Sequence, residues 1–300
     1  SSDLWLHIGH IAGCYLPADI FARYHRLKGN SVLMVSGSDQ HGTPVTIRAD
    51  QEGTTPEEVV EKYHLSFLET WDNLGISFDL FTKTGTSNHR ETTHEIFNTL
   101  LQKGYIYKKS MTVPYCEHDA RFLPDRYVKG ICPNCDNQDA RGDQCDNCGH
   151  PMNASELGNL TCRLCNQQIS IRDSEHCFLS LSKFESDLKT WLSDKDGWRP
   201  NVLNFTRKFL DSGLKDRAIT RDIQWGIDVP MQGFENKRIY VWFEAVIGYL
   251  SASKEWSSNQ GEPDRWREWW NDPNARSYYF IGKDNIPFHS IIWPAILMGF

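Results

Sequence analysis

The sequence predicts an α/β fold, a Rossmann-like parallel sheet interrupted by a zinc-binding connective insertion. Two observations carry this. Short apolar runs alternate with amphipathic helical stretches through the first hundred or so residues and again after residue 226, the pattern of strand-helix-strand units. Between these regions the alternation stops, and cysteines, glycines, asparagines and aspartates crowd Gly130 to Cys165. The expected organisation is residues 1–107 as the first half of a nucleotide-binding domain, 108–225 as the insertion, and 226–300 as the second half.

Taken in order, His7-Ile8-Gly9-His10 stands where a strand feeds a helix. The helical pattern runs on to about Leu27, with Gly29 as its C-terminal stop. Val32 to Val35 reads as a short strand. Thr55-Pro56-Glu57-Glu58 forms a capping box with proline at the first helical position, followed by Val59, Tyr63, Phe67, Trp71 and Leu74 at helical spacing. Later, Ile239 to Phe243 reads as a strand leading into a helix through Tyr249. Tyr278 to Ile281 reads as another strand, with a helix from Pro287. Ser251 to Asn274, rich in tryptophan and polar residues, reads as a surface connection.

The composition excludes several classes. Ser290 to Phe300 is too short an apolar run to cross a bilayer, and no signal sequence opens the chain, so a cytoplasmic protein without a membrane partner is expected. A net charge of −7 argues against binding DNA through an overall basic surface and leaves any RNA contact local. Six of the nine cysteines form three Cys-x-x-Cys pairs, which favours metal over a disulfide scaffold.

Three clusters carry chemistry. At His7 to His10, free backbone N–H groups at a helix start attract phosphate, the glycine permits close approach and the imidazoles can donate; read alone, the same residues also suit a plain helix start. In Gly37-Ser38-Asp39-Gln40-His41-Gly42-Thr43-Pro44, Asp39 follows a predicted strand and could hold a ligand's ammonium group, or simply cap a turn. Cys132-x-x-Cys135 and Cys145-x-x-Cys148 have the spacing of a closed, structural four-thiolate zinc site. Cys162-x-x-Cys165 with Cys116 makes a candidate second site that needs Asp119 or His118 as its fourth ligand. Cys14 and Cys177 stand alone and read as buried small hydrophobes.

In this order the segments resemble the methionyl branch of the class I aminoacyl-tRNA synthetases. His7 to His10 matches that family's HIGH signature; Gly37 to Pro44, Phe122-Leu123-Pro124-Asp125-Arg126, Tyr240 to Tyr249 and Ile281 to His289 resemble later segments, so the likeness covers essentially all 300 residues. It implies that His7, Gly9 and His10 cradle ATP phosphates and serve catalysis, and that Asp39 binds the amino group of methionine. Trp242, Ala245, Tyr249 and His289 would line the side-chain pocket, with Asn285 beside the methionine, and Gly282, Lys283 and Asp284 would line the adenosine side. It also implies ATP with Mg2+, structural Zn2+ and tRNA(Met) as partner. The methionine carboxylate would attack the α-phosphate, pyrophosphate would leave, and a tRNA hydroxyl would then take the acyl group, with catalysis resting on alignment and charge stabilisation.

The chain departs from the family's pattern in three places. Ser1-Ser2-Asp3-Leu4-Trp5-Leu6 replaces a Pro-Tyr-x-Asn-like run, Val246 stands where proline is common, and Phe300 precedes the family's KMSKS loop and anticodon-binding domain. The expectation is a fragment incomplete for catalysis. Other class I synthetases, of the leucine, valine or cysteine type, and a non-catalytic module whose zinc insertion touches RNA are the competing readings.

Overall fold

The structure, a computed structural model, describes residues 5–124, 127–141, 145, 147–148 and 156–300. Asp125 and Arg126 of the Phe122 to Arg126 segment, and Ser1 to Leu4 of the expected first strand, lie outside the described residues. The chain forms two compact units: Ser1–Tyr105, Ser180–Asp216 and Val241–Phe300 make the first, and Ile106–Leu179 with Arg217–Tyr240 the second. Residues 180–216, expected within the insertion at 108–225, thus group with the first unit, and 226–240 with the second.

The first unit opens on α1 (Ile8–His10), a π turn (Ile11–Tyr15) and α2 (Leu16–Leu27), which run on as one helical stretch. Gly29 takes φ +81° just beyond it, so the expected stop holds. β1 (Val35–Ser38), α3 (Thr43–Glu52), α4 (Pro56–Leu74), β2 (Leu80–Lys83) and α5 (Ser87–Gln102) follow. β1 and β2 pair in parallel, Val35 with Leu80 through Ser38 with Lys83. Gly37 makes this close approach possible, since a Cβ there would stand 2.9 Å from the Thr82 carbonyl oxygen. The capping box at α4 forms as expected: the Thr55 hydroxyl accepts from Glu58 N–H and the Glu58 carboxylate from Thr55 N–H.

The unit continues with α6 (Glu185–Ser193), α7 (Pro200–Asp211), α8 (Val241–Glu244), a 3-10 turn (Ala245–Ile247), α9 (Gly248–Asn259), α10 (Arg267–Trp270), a 3-10 turn (Lys283–Asn285), a π turn (Phe288–Ile292) and α11 (Trp293–Gly299). Its core gathers Ile96, Phe97 and Leu100 of α5, Ile247 and Leu250, and Trp293, Ala295 and Ile296 of α11. Burying each large side chain contributes about 1.5–3 kcal/mol.

The second unit is built on β3 (Ile106–Cys116) and its long antiparallel partner. β4 (Arg121–Phe122), β5 (Val128–Ile131), β6 (Ala140–Arg141), β7 (Gly158–Cys162), β8 (Ser170–Leu179), β9 (Arg217–Ala218), β10 (Thr220–Arg221) and β11 (Arg238–Ile239) complete it. β3 pairs with β8 from Ile106–Leu179 to Tyr115–Ser170, in a sheet ordered β4-β3-β8-β9; β6-β5-β7 forms a smaller sheet that carries cysteines.

Four expected elements differ. The strand at Val32 to Val35 is displaced to Val35–Ser38, because its partner begins only at Leu80 and the Asp79 carboxylate takes the Met34 N–H before the ladder starts. Ile239 to Phe243 is not one strand: Ile239 ends β11, and Val241 to Phe243 turn into α8, which buries Phe243 and Glu244. Tyr278 to Ile281 pairs in no ladder among the described residues and is anchored by side chains, the Cys14 thiol donating to the Phe280 carbonyl at 2.7 Å and Phe21 packing on Tyr278 and Phe280. Ser251 to Asn274 is no surface connection at its start, because α9 buries Ser251, Ala252, Ser253 and Ser257, small residues that let it pack closely.

Candidate functional site

The histidine turn is shaped by its own side chains. His7 caps α1, its Nδ1 accepting the Gly9 N–H at 3.0 Å, and its ring stacks on His10 at 3.8 Å between centroids. A Cβ on Gly9 would lie 2.8 Å from His7 Cε1, so glycine is required for the imidazole to fold back over the turn. His7, Ile8 and Gly9 are exposed, while the His7 and Gly9 N–H groups are taken by the His10 and His7 Nδ1 atoms; with both Nδ1 atoms accepting, the Nε2 edges of the two imidazoles are left to donate to an anion.

The loop after β1 is held from several directions. Ser38 Oγ bonds His64 Nδ1 at 2.8 Å, and the Gln40 N–H donates to Thr84 Oγ1 at 2.9 Å. Between them Asp39 keeps an exposed face while protein closes round its other sides. Desolvation, and then the neighbouring Glu244 carboxylate, raise its carboxyl to about 7 against the opposing pull of His41. The His41 N–H donates to Asp39 Oδ1 at 3.2 Å.

A second group converges on Tyr249. Its hydroxyl bonds His289 Nε2 at 2.7 Å, and His289 Nδ1 lies 2.9 Å from the Asn285 carbonyl oxygen. A carbonyl accepts only, so Nδ1 carries the proton; burial keeps the His289 pKa low, which leaves Nε2 to accept from Tyr249. Burial, then the nearby Tyr279, push the Tyr249 pKa up, keeping the phenol a donor. Trp242 stacks on Phe288 at 4.1 Å with ring planes 10° apart, and Tyr279 meets Tyr249 edge-on at 5.1 Å. Ala245 opens the turn after α8, beside these rings in sequence. Gly282, Lys283 and Asp284 are exposed at the turn that leads to Asn285 and His289. The set is an apolar, aromatic surface with a few fixed polar groups, the chemistry of a small-molecule site. Tyr279, Phe288, His41 and Glu244 were not singled out from the sequence; the first two adjoin residues that were, and Glu244 is visible only as an acid inside an apolar run.

The cysteines assemble two clusters in the second unit. Sγ atoms of Cys132 and Cys148 are 3.8 Å apart, and those of Cys135 and Cys145 3.7 Å. Thiolates on a tetrahedral zinc with bonds of about 2.3 Å stand about 3.8 Å from one another. All nine cysteines are free of disulfides. Cys116, Asp119, Cys162 and Cys165 form the second cluster, with ligand atoms within 4.8 Å of one another. Asp119, not the exposed His118, brings the fourth potential ligand atom to this cluster; His118 Nδ1 instead contacts Asp119 Oδ1 at 2.9 Å. Three ligand pairs share one backbone device, a left-handed residue straight after the second ligand: Ala120 (φ 50°), Asp136 (φ 56°) and Asn166 (φ 58°). Asp119 thus holds the place of a second cysteine in a knuckle.

The chain is similar to known proteins over nearly its whole length. The family described as "tRNA synthetases class I (M)" matches residues 3–300. Methionine–tRNA ligase of Dehalococcoides mccartyi is 61% identical over 98% of this chain, and that of Thermomicrobium roseum 59% identical over 98%. The chain covers 53% and 50% of these two proteins, so it spans about half the length of the curated relatives it matches. A crystal structure of Mycobacterium tuberculosis methionyl-tRNA synthetase bound by methionyl-adenylate superposes with a TM-score of 0.70 at 25% identity, covering 98% of this chain and 52% of that one. With its whole described length matched, this chain belongs to the class I tRNA synthetase family, in its M branch.

Proposed function

We propose that the chain is the amino-acid-activating part of a cytoplasmic methionine–tRNA ligase, forming methionyl-adenylate from methionine and ATP for transfer to tRNA(Met). The observation that supports this best is the Tyr249–His289 hydrogen bond within an aromatic set, in a chain that also carries the Asp39 carboxylate beside His41 and is 61% identical to a methionine–tRNA ligase. In this reading Asp39 takes the substrate ammonium, Trp242, Ala245, Tyr249 and His289 surround the thioether, and Asn285 lies alongside. Aromatic edges favour sulfur by about 0.3–1.5 kcal/mol. His7, Gly9 and His10 hold ATP phosphates, and Gly282, Lys283 and Asp284 face the adenosine. Mg2+ bound with ATP would neutralise phosphate charge.

No side chain acts as a nucleophile: the chain's residues orient the methionine carboxylate towards the α-phosphate and donate to its oxygens. Cys132, Cys135, Cys145 and Cys148 would hold Zn2+ as four thiolate ligands and so stabilise the insertion; Cys116, Asp119, Cys162 and Cys165 would hold a second ion. ATP–pyrophosphate exchange, measured on the gene's full-length product with each amino acid in turn, should proceed with methionine alone. Exchange driven by leucine, valine or cysteine, or by none, would overturn the reading.

A further inference from the structure

Glu244 is fully buried, yet it is a carboxylate. A position in the core of a unit ordinarily takes an apolar residue, and a buried charge persists only with partners. Here the partners are two imidazoles from different elements. Glu244 Oε1 lies 2.9 Å from His41 Nδ1, in the loop after β1, and Oε2 lies 2.7 Å from His89 Nε2, on α5. In each contact the ring nitrogen that faces the carboxylate carries the proton. His89 is itself 1% exposed, and its Nδ1 bonds Ser251 Oγ on α9 at 2.8 Å. Burial pushes the Glu244 pKa up, but the bonds from His41 and His89 outweigh it and hold the group ionised.

We propose that Glu244 is a positioning residue for recognition of the substrate's ammonium group, locking the Asp39 loop to the helix turn that carries Trp242. This rests on the reading of Asp39 as the ammonium partner. The path is short and continuous: the His41 N–H holds Asp39 Oδ1, the His41 ring holds Glu244, and Glu244 holds His89. Residues 39 to 41 form no regular element, and Gly42 follows with φ +98°. Such a loop has little of its own to fix a carboxylate. Glu244 closes α8 two residues after Trp242 and immediately before Ala245, so one side chain ties the ammonium end of the site to its aromatic end. No substrate contact by Glu244 itself is required.

The test uses the gene's full-length product and two substitutions. In Glu244→Gln, which keeps the shape and removes the charge, KM for methionine should rise about tenfold or more, while KM for ATP stays within about threefold. Inhibition by methioninol, which keeps the ammonium and lacks the carboxylate, should weaken to a similar extent, whereas inhibition by the desamino analogue of methionine should not. His89→Gln removes only one of the two grips and should give the same pattern at smaller amplitude, and it carries the test if Glu244→Gln does not fold. Equal losses for methionine and ATP, equal losses for the two analogues, or no change in either variant would overturn the proposal. An unmutated enzyme that shows no methionine-dependent exchange would overturn the proposed function along with it, whereas normal exchange with unselective variants removes the positioning role alone.

Discussion

At the residue scale, Asp39 sets a pH dependence. Its carboxyl is raised to about 7 by desolvation first and by Glu244 second. An ammonium ligand needs the carboxylate, and the ligand amine stays protonated through neutral pH. As pH falls through about 7 the carboxyl takes up a proton, so methionine affinity should drop by up to about tenfold per unit below that point and level off above it. Calorimetric titration between about pH 6 and 8 should show this slope, with a proton released on binding at the lower end. Asp39→Asn should abolish the slope and cost about 3–5 kcal/mol of methionine affinity while leaving ATP nearly unaffected; equal losses for both ligands would point to a folding role. Gly9 makes the complementary case for ATP. An added Cβ would meet the His7 ring at 2.8 Å and force it off the Gly9 N–H and off His10. Gly9→Ala should therefore raise KM for ATP about tenfold with little change in KM for methionine, as steady-state exchange kinetics would read it.

Among the elements, the knuckles lend themselves most directly to a test. Ala120 sits in the left-handed region, which costs a residue with a Cβ about 1 kcal/mol or more, and it does so at the place where Asp136 and Asn166 follow Cys135 and Cys165, the second cysteines of their proposed ligand pairs. A strained alanine is tolerated where a ligand fixes the turn, so Asp119 is expected to bind metal. Elemental analysis should find about two zinc ions per chain, falling to about one in Asp119→Ala and remaining near two in Asp119→Cys; an unchanged content in Asp119→Ala would exclude the aspartate as ligand. These knuckles and the Thr55 cap were legible in the sequence because each is decided within a few residues. β1, α8 and α9 were not. Whether Val35 rather than Val32 opens a strand depends on where β2 starts, some 45 positions away. The polar look of Ser251, Ser253 and Ser257 conceals a buried face, on which the Ser251 and Ser253 hydroxyls find partners inside the unit, at His89 Nδ1 and the Tyr249 carbonyl. Tyr278 to Ile281 has the apolar composition of a strand, and its backbone is held by Cys14 and Phe21 instead. For the site, the individual residues could be found by motif, but Glu244 and its two histidines could not, since nothing local marks three elements as neighbours.

Over the whole molecule, the two kinds of ligand chemistry fall in separate units. Every residue proposed for ATP or methionine lies in Ser1–Tyr105 or Val241–Phe300, and every cysteine or aspartate proposed for metal lies in Ile106–Leu179. Each unit has its own buried side chains, from Ile96, Phe97 and Ile296 in the first to Val128, Cys177 and Phe178 in the second. A ligand that binds only the folded form stabilises the unit that holds it, by about 2.7 kcal/mol at a concentration one hundred times its dissociation constant. A structural metal stabilises the insertion in the same sense, and its loss removes binding energy that the thiolates cannot replace. Differential scanning calorimetry of the protein should therefore resolve two responses. Methionine with a non-hydrolysable ATP analogue should move one transition upward, and a chelator should move a different one downward, with the methionine-sensitive transition shifted little. Amide exchange followed by mass spectrometry would assign them: chelation should deprotect β5, β7 and the flanking knuckles first, and methionine should protect the loop at Asp39 and the turn at Asn285. A single transition that responds equally to both ligands would mean that metal and substrate stabilise one cooperative body, and metal-ligand substitutions would then be expected to weaken methionine binding as well.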